Sequence, residues 1–117
     1  MKNRIETFSA LGVRLLDFGG DDATRAVMAA ACRANGWFTP VDICRAVRAI
    51  AGDMLQREKL EAWLAAYPAV PVAMPRRVLV VMAGNIPLVG FFDLLCVLAS
   101  GHHCLVKSSA KDSVLME

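Results

Sequence analysis

The sequence has little net charge, no paired cysteine spacing and no glycine-rich phosphate fingerprint, and each lack removes a class of function. With 13 basic against 11 acidic groups and a net charge of +2 over 117 residues, composition carries no electrostatic footprint for nucleic acid. Cys32, Cys44, Cys96 and Cys104 show no C-x-x-C spacing and no companion histidines at zinc-finger distances. That excludes zinc ribbons and fingers and points to reduced structural thiols buried in apolar surroundings. His102 and His103 are adjacent, so on a strand they face opposite ways and cannot share a metal, and no metal is expected. Gly84 and Gly90 do not fit G-x-G-x-x-G, and no G-x-x-x-x-G-K-[ST] occurs, so a cofactor held by a glycine-rich first turn alone is unsupported. Nor does a secretory leader open the chain: Met1-Lys2-Asn3-Arg4 runs into a mixed amphipathic segment, which makes the reducing cytoplasm the expected compartment.

Apolar residues, by contrast, are abundant. They make up 56% of the chain, above the usual share for a soluble domain, which points either to a membrane span or to surfaces that another part of a larger assembly covers. The run from Val78 to Ala99 is long enough to span a bilayer. Asn85, Pro87 and Asp93 interrupt it, and a charge within a span is costly in lipid. The covered-surface reading is therefore preferred, with a single-span membrane protein as the weaker alternative.

Taken in order, residues 1–68 read as a helical region. Ile5, Phe8, Leu11 or Gly12, and Leu15-Leu16 recur at helical spacing, and Gly19-Gly20 ends that helix. Asp21 or Asp22 is placed to cap a second helix from Ala23 to Asn35, with Asn35-Gly36 as its C-cap and turn. Thr39 is placed as the N-cap of a third helix, Pro40 as its first residue and Phe38 as a hydrophobic staple. Ile43, Val47, Ile50 and Met54 form its apolar stripe. The helix ends or bends around Gly52 to Leu55, and a fourth runs from Arg57 to Tyr67-Pro68. By itself this half is a cap that packs through its own stripes.

Residues 69–75, framed by Pro68, Pro71 and Pro75, read as a proline-rich connector. A different pattern starts at residue 76. Val78 to Met82 is a β-branched run of strand length that ends in Ala83-Gly84-Asn85-Ile86-Pro87. Pro87 suits the first position of a helix over Leu88 to Ser100, with Gly101 as its stop. Cys104-Leu105-Val106 reads as a second strand that delivers Lys107 at its end. A strand, crossover helix and strand in about thirty residues is a βαβ unit, and strands without alternation are those covered on both faces of a parallel sheet. The fold class is therefore α/β, a helical segment followed by the first βαβ unit of a parallel sheet. Ser109 or Asp112 is placed to cap a further helix at Ser113. There the chain stops, inside an element, so it is expected to be the front part of a longer protein.

Ligands of parallel sheets sit beyond the carboxyl ends of the strands, where Asn85 and Lys107 stand. The Asn85 amide could donate to a carbonyl oxygen that becomes negative during acyl transfer; its plainer role is to tolerate an unusual turn. Lys107 could reach ribose hydroxyls or a phosphate; its plainer role is a solvated strand end. Ser108 and Ser109 offer hydroxyls or cap the next helix. Asp93 is the lone charge of the crossover helix and has no partner in sequence for general-base work.

Met82-Ala83-Gly84-Asn85-Ile86-Pro87-Leu88-Val89-Gly90, Ala99-Ser100-Gly101-His102 and Val106-Lys107-Ser108-Ser109-Ala110 together resemble the aldehyde dehydrogenase superfamily. In particular they are similar to its acyl-CoA reductase branch, related to the fatty acyl reductase of bacterial luminescence operons. Asn35-Gly36-Trp37-Phe38-Thr39 also resembles a stretch of that branch. The resemblance covers essentially the whole chain and is most specific from Val78 to Ser109. It implies an aldehyde dehydrogenase-like, Rossmann-like NAD(P)-binding domain that starts at residue 76.

The resemblance also implies roles. Asn85 is the side-chain half of an oxyanion hole, Lys107 contacts the adenosine ribose or its phosphate, and Ala83, Gly84, Ser109 and Lys111 lie along the cofactor. The superfamily's glutamate is replaced by Ala110, which removes repulsion toward a 2′-phosphate and favours NADP(H), with NAD(H) as the alternative. The implied reaction reduces a fatty acyl-CoA to a fatty aldehyde. A cysteine thiolate displaces CoA, and hydride from NADPH releases the aldehyde. None of the four cysteines matches the context of that nucleophile, and the later glycine-rich turn is missing. The chain alone is therefore expected to be inactive, and the complete protein to be a homo-oligomeric reductase. The competing expectation is a nucleotide-binding module or subunit fragment without catalysis of its own.

Overall fold

The computed structural model describes residues 2–68 and 72–117. The first part of the proline-rich connector, 69–71, lies outside the described residues. Helices α1 (Lys2–Leu16), α2 (Asp22–Ala34), α3 (Pro40–Ala49) and α4 (Arg57–Leu64) come first, followed by strand β1 (Arg77–Val81), helix α5 (Phe91–Ala99), strand β2 (His103–Lys107) and a short helix α6 (Ser113–Met116). The described chain is helix-rich with one two-stranded parallel sheet, which is compatible with the α/β class.

Local chemistry accounts for the helix starts. Asp21, in extended conformation, accepts the Thr24 amide at 2.7 Å, and the Thr24 hydroxyl also donates to it. Thr39 accepts the Asp42 amide at 3.1 Å, and Pro40 needs no partner for a missing N–H. Phe38 and Ile43 lie buried in the same cluster on either side of that cap, as a staple requires. Gly19, at φ +87°, closes the turn after α1 in a conformation that a side chain resists.

Two apolar clusters follow from these helices. One joins Phe8, Ile50, Leu55, Leu60 and Leu64 to Leu95 and Ala99 of α5. The other joins Ala31 and Phe38 to Ile43 and Val47. The choice between Leu11 and Gly12 on α1 is settled by proximity. Gly12 is buried, and a Cβ there would lie 2.8 Å from the Leu55 Cβ and 2.9 Å from the Leu55 carbonyl oxygen. Leu11 is 38% exposed. Beyond Ala49 the chain continues as a π-helical turn, Ile50–Met54. This wider turn is the bend expected near Gly52, and it keeps Ile50 and Ala51 buried.

The sheet departs from expectation in three ways. The crossover helix starts at Phe91, not Leu88, because residues 87–90 form a turn in which Leu88 takes φ 57°, outside the right-handed helical region. The strands are not covered on both faces: Val78, Val80 and Cys104 are half-buried, whereas Leu79, Val81 and Leu105 are 60%, 72% and 49% exposed. Helix α5 packs against the strands, and burial in β1 alternates although the sequence does not. Finally, β2 begins at His103, so His102 precedes the strand, where its Nδ1 accepts the Arg76 amide at 3.0 Å. The cysteines are free but half-buried rather than buried. Among the described residues no helix is long and apolar enough to cross a membrane, and the run from Val78 to Ala99 divides into strand, turn and a helix of 9 residues.

Candidate functional site

Parallel pairing sets Val81 beside Lys107, so the two strands deliver their carboxyl ends to one rim. The ladder continues one step further, with the Met82 amide donating to the Lys107 carbonyl at 3.0 Å. From there the first connection, 82–90, and the second, 108–112, must share limited space.

Glycine makes this possible at two points. A Cβ on Gly84 would lie 2.7 Å from the Ser109 Cβ and 2.9 Å from the Lys111 Cβ. A Cβ on Gly90 would overlap the Met82 side chain, which folds back under the turn. Both are close-approach positions, where any side chain would push the loops apart. Ala83 and Asn85, which flank the buried Gly84, are exposed.

Two buried polar side chains hold the first connection. Asn35, 7% exposed, donates from Nδ2 to the Gly84 carbonyl at 3.2 Å, and its Oδ1 accepts the Trp37 amide at 3.0 Å. Asp112, 4% exposed, accepts the Leu88 amide on Oδ2 at 2.7 Å. Its Oδ1 has no hydrogen-bond partner among the described residues. Burial pushes the Asp112 carboxyl above its ordinary pKa, and the Leu88 N–H opposes that shift. Asp112 precedes α6 but makes no side-chain cap. Its expected role as a cap is replaced by a bond across the rim. Ser109 does not cap the helix either: its Oγ accepts the Lys111 amide at 3.2 Å inside the turn.

The outer surface of the rim carries amide and ammonium groups. Asn85, Lys107 and Lys111 are exposed, and among the described residues neither lysine is in an ion pair. Lys107 Nζ donates to the Ser108 carbonyl at 3.0 Å. The one carboxylate of the second connection, Asp112, is turned inward onto Leu88. Of the residues singled out in the sequence, Gly84, Ser109 and Lys111 meet directly. Asn85 and Lys107 share the rim through strand pairing, with no hydrogen bond between them among the described residues.

The chain is matched over residues 22–117 by the profile of the acyl-CoA reductase (LuxC) family. The chain belongs to this family. No individually curated protein and no solved structure matches it. The acyl-CoA reductases are oxidoreductases, and their name gives the substrate class as an acyl-CoA.

Two thiols of this family member are shifted away from reactivity. Burial raises the Cys96 pKa, helped by the Asp93 carboxylate, and burial also raises that of Cys104. Reactive thiols are shifted the other way. Asp93 is exposed in the first turn of α5. A cleft of about 340 Å³ lined by Arg4, Trp63, Tyr67 and Cys96 also reaches Ser100, just before β2. It therefore lies toward the amino ends of the strands, away from Asn85 and Lys107.

Two contributors were not legible as such. Asn35 stood in a recognisable stretch but read as a helix end. Asp112 read as a cap. In each case the partner lies 49 or 24 residues away in sequence, and no local pattern announces such a pairing.

Proposed function

We propose that this chain forms the first part of a Rossmann-like, aldehyde dehydrogenase-like domain in an NADPH-dependent reductase that turns fatty acyl-CoA into fatty aldehyde. The observation that carries the reading is the rim: an exposed asparagine amide and two ammonium groups without an ion pair among the described residues stand past the ends of two adjacent parallel strands. Open α/β sheets bind ligands at such a place.

The residues present fit a phosphorylated dinucleotide. Lys107 and Lys111 supply positive charge, Ser109 a hydroxyl and Ala83 a surface without bulk, while the buried Gly84 lets the second connection pack close beside the first. Ala110 bears no carboxylate, and Asp112 points inward, so nothing acidic in the second connection opposes a 2′-phosphate. This favours NADP(H), with NAD(H) as the alternative. When bound, the cofactor supplies hydride. Asn85 contributes by donating its side-chain N–H to the thioester carbonyl oxygen as negative charge grows there. The nucleophilic cysteine is not among the chain's four thiols. The chain alone is accordingly an inactive half-site, and the complete enzyme a cytoplasmic oligomer.

Lysine acetylation of the purified chain, read by mass spectrometry with and without NADPH, tests the cofactor assignment. Lys107 and Lys111 are expected to be protected while Lys59 is not; equal labelling of all three would sink the assignment. Aldehyde formation from a long-chain acyl-CoA and NADPH by the chain alone is expected to be absent, and turnover would refute the half-site reading.

A further inference from the structure

Asn85 is mounted on an irregular connection. Residues 82–90 contain no helix and no strand, and Leu88 sits at φ 57° without being glycine. A side chain on such a segment is held only as well as its backbone is held. Two polar groups from distant parts of the chain reach that backbone on either side of Asn85: Asn35 on the Gly84 carbonyl and Asp112 on the Leu88 amide.

Both are buried, which is costly for an amide and more so for a carboxyl unless each is engaged. Asn35 is engaged at both ends, by Gly84 and by Trp37. It therefore ties the turn after α2 to the turn after β1. Asp112 has one oxygen engaged and the other unpartnered among the described residues. The engaged oxygen accepts the amide of a left-handed leucine and so holds a backbone conformation that leucine otherwise avoids.

We propose that Asn35 and Asp112 are positioning residues that clamp the Gly84–Leu88 backbone from its two ends and so preset the direction of the Asn85 amide. The catalytic meaning of this clamp rests on the reading of Asn85 as an oxyanion donor; the clamp itself does not.

The clamp is tested on the full chain by nuclear magnetic resonance, without substrate. Asn35→Asp retains the acceptor for the Trp37 amide but loses the donor to Gly84. It is expected to shift the Gly84 and Asn85 resonances, including the Asn85 side-chain amide, and to speed Leu88 amide exchange at least tenfold, while Trp37 is unchanged. Asp112→Ala is expected to speed Leu88 exchange by a similar factor, and Asp112→Asn, which keeps an acceptor, to restore slow exchange. Wild-type behaviour of Asn85 and Leu88 in both Asn35→Asp and Asp112→Ala would overturn the proposal. Should a variant fail to fold, a scalar coupling across the Asn35 Nδ2–H···O=C Gly84 bond in the unsubstituted chain decides the matter, and its absence counts against the clamp. Failure of the oxyanion reading shows elsewhere: Asn85→Ala in the complete reductase would leave kcat unchanged while these exchange results stood.

Discussion

The helical half and the sheet half of this protein solve the burial problem differently. Residues 2–68 supply most of both apolar clusters, with Ile43, Leu55 and Leu60 at most 1% exposed, and the caps of α2 and α3 are satisfied locally, although Val13, Trp37 and Val41 stay in solvent. Residues 76–117 only half-bury one face of a two-stranded sheet, at Val78, Val80 and Cys104, and leave Leu79, Val81 and Leu105 in solvent. The groups with chemical potential, Asn85, Lys107 and Lys111, lie in the less buried half. Their geometry is borrowed from the other one. Leu95 and Ala99 enter the core of Phe8 and Leu60, Arg4 donates to the Ala99 carbonyl at 3.2 Å, and Asn35 reaches Gly84.

The strongest way to break the contrast is at the shared core. Leu60 is fully buried and packs in one cluster with Leu95 and Ala99. Leu60→Ala is therefore expected to cost about 2–5 kcal/mol and to loosen both halves, as a drop in the midpoint of chemical denaturation. A denaturation curve in which α5 and the sheet kept their wild-type stability would show that the halves are independent.

Gly84→Ala comes next. The added methyl meets Ser109 and Lys111 at 2.7 and 2.9 Å, a crowding expected to cost about 1–3 kcal/mol. The loss should be confined to the rim, visible as faster amide exchange in 82–90 and 108–112 with little change in α1 to α4.

Acid titration sharpens the comparison through two aspartates with opposite signs. Hydrogen bonds from Thr24 hold Asp21 below its ordinary value of 3.8, so its contribution is present above that value and fades as pH falls through the lowered one. Asp112 is raised above 3.8 by burial. The folded state then binds the proton more tightly, and stability declines as pH rises from 3.8 through the raised value. Denaturation midpoints measured across this range should lose their acid-side fall in Asp21→Asn and their alkaline-side decline in Asp112→Asn. Identical profiles for the two variants would contradict the assignment.

The smallest effect is expected on the open face. Leu79→Thr replaces a side chain that is 60% exposed and should alter stability by no more than about 0.5 kcal/mol. The same change at half-buried Val78 should cost more. If Leu79→Thr proved the costlier, the face would be covered in solution.

Much of the fold was legible because its signals are local. Thr39-Pro40, Asp21 and Gly19 mark ends through bonds within a few residues, and the stripe of Ile43, Val47 and Ile50 repeats with the helical period. The end of β1 and the place of Lys107 followed from the same kind of pattern. The turn at Leu88 was not legible, because Pro87 satisfies the local rule for a helix start, whereas the Leu88 amide is engaged by Asp112, 24 residues away. Nor was the one-sided sheet, since Val78 to Val81 are uniformly apolar and their alternation comes from what stands on each face.

By itself, the amino-acid order determined the leading helices, the caps of α2 and α3, the parallel strand pair and the family, because each depends on spacing within one segment. Which turn is held, which glycine admits a neighbour and which polar group goes inside were decided by tertiary structure alone. Those depend on groups such as Asn35 and Gly84 or Leu88 and Asp112, which become neighbours only once the chain has folded and water has been excluded between them.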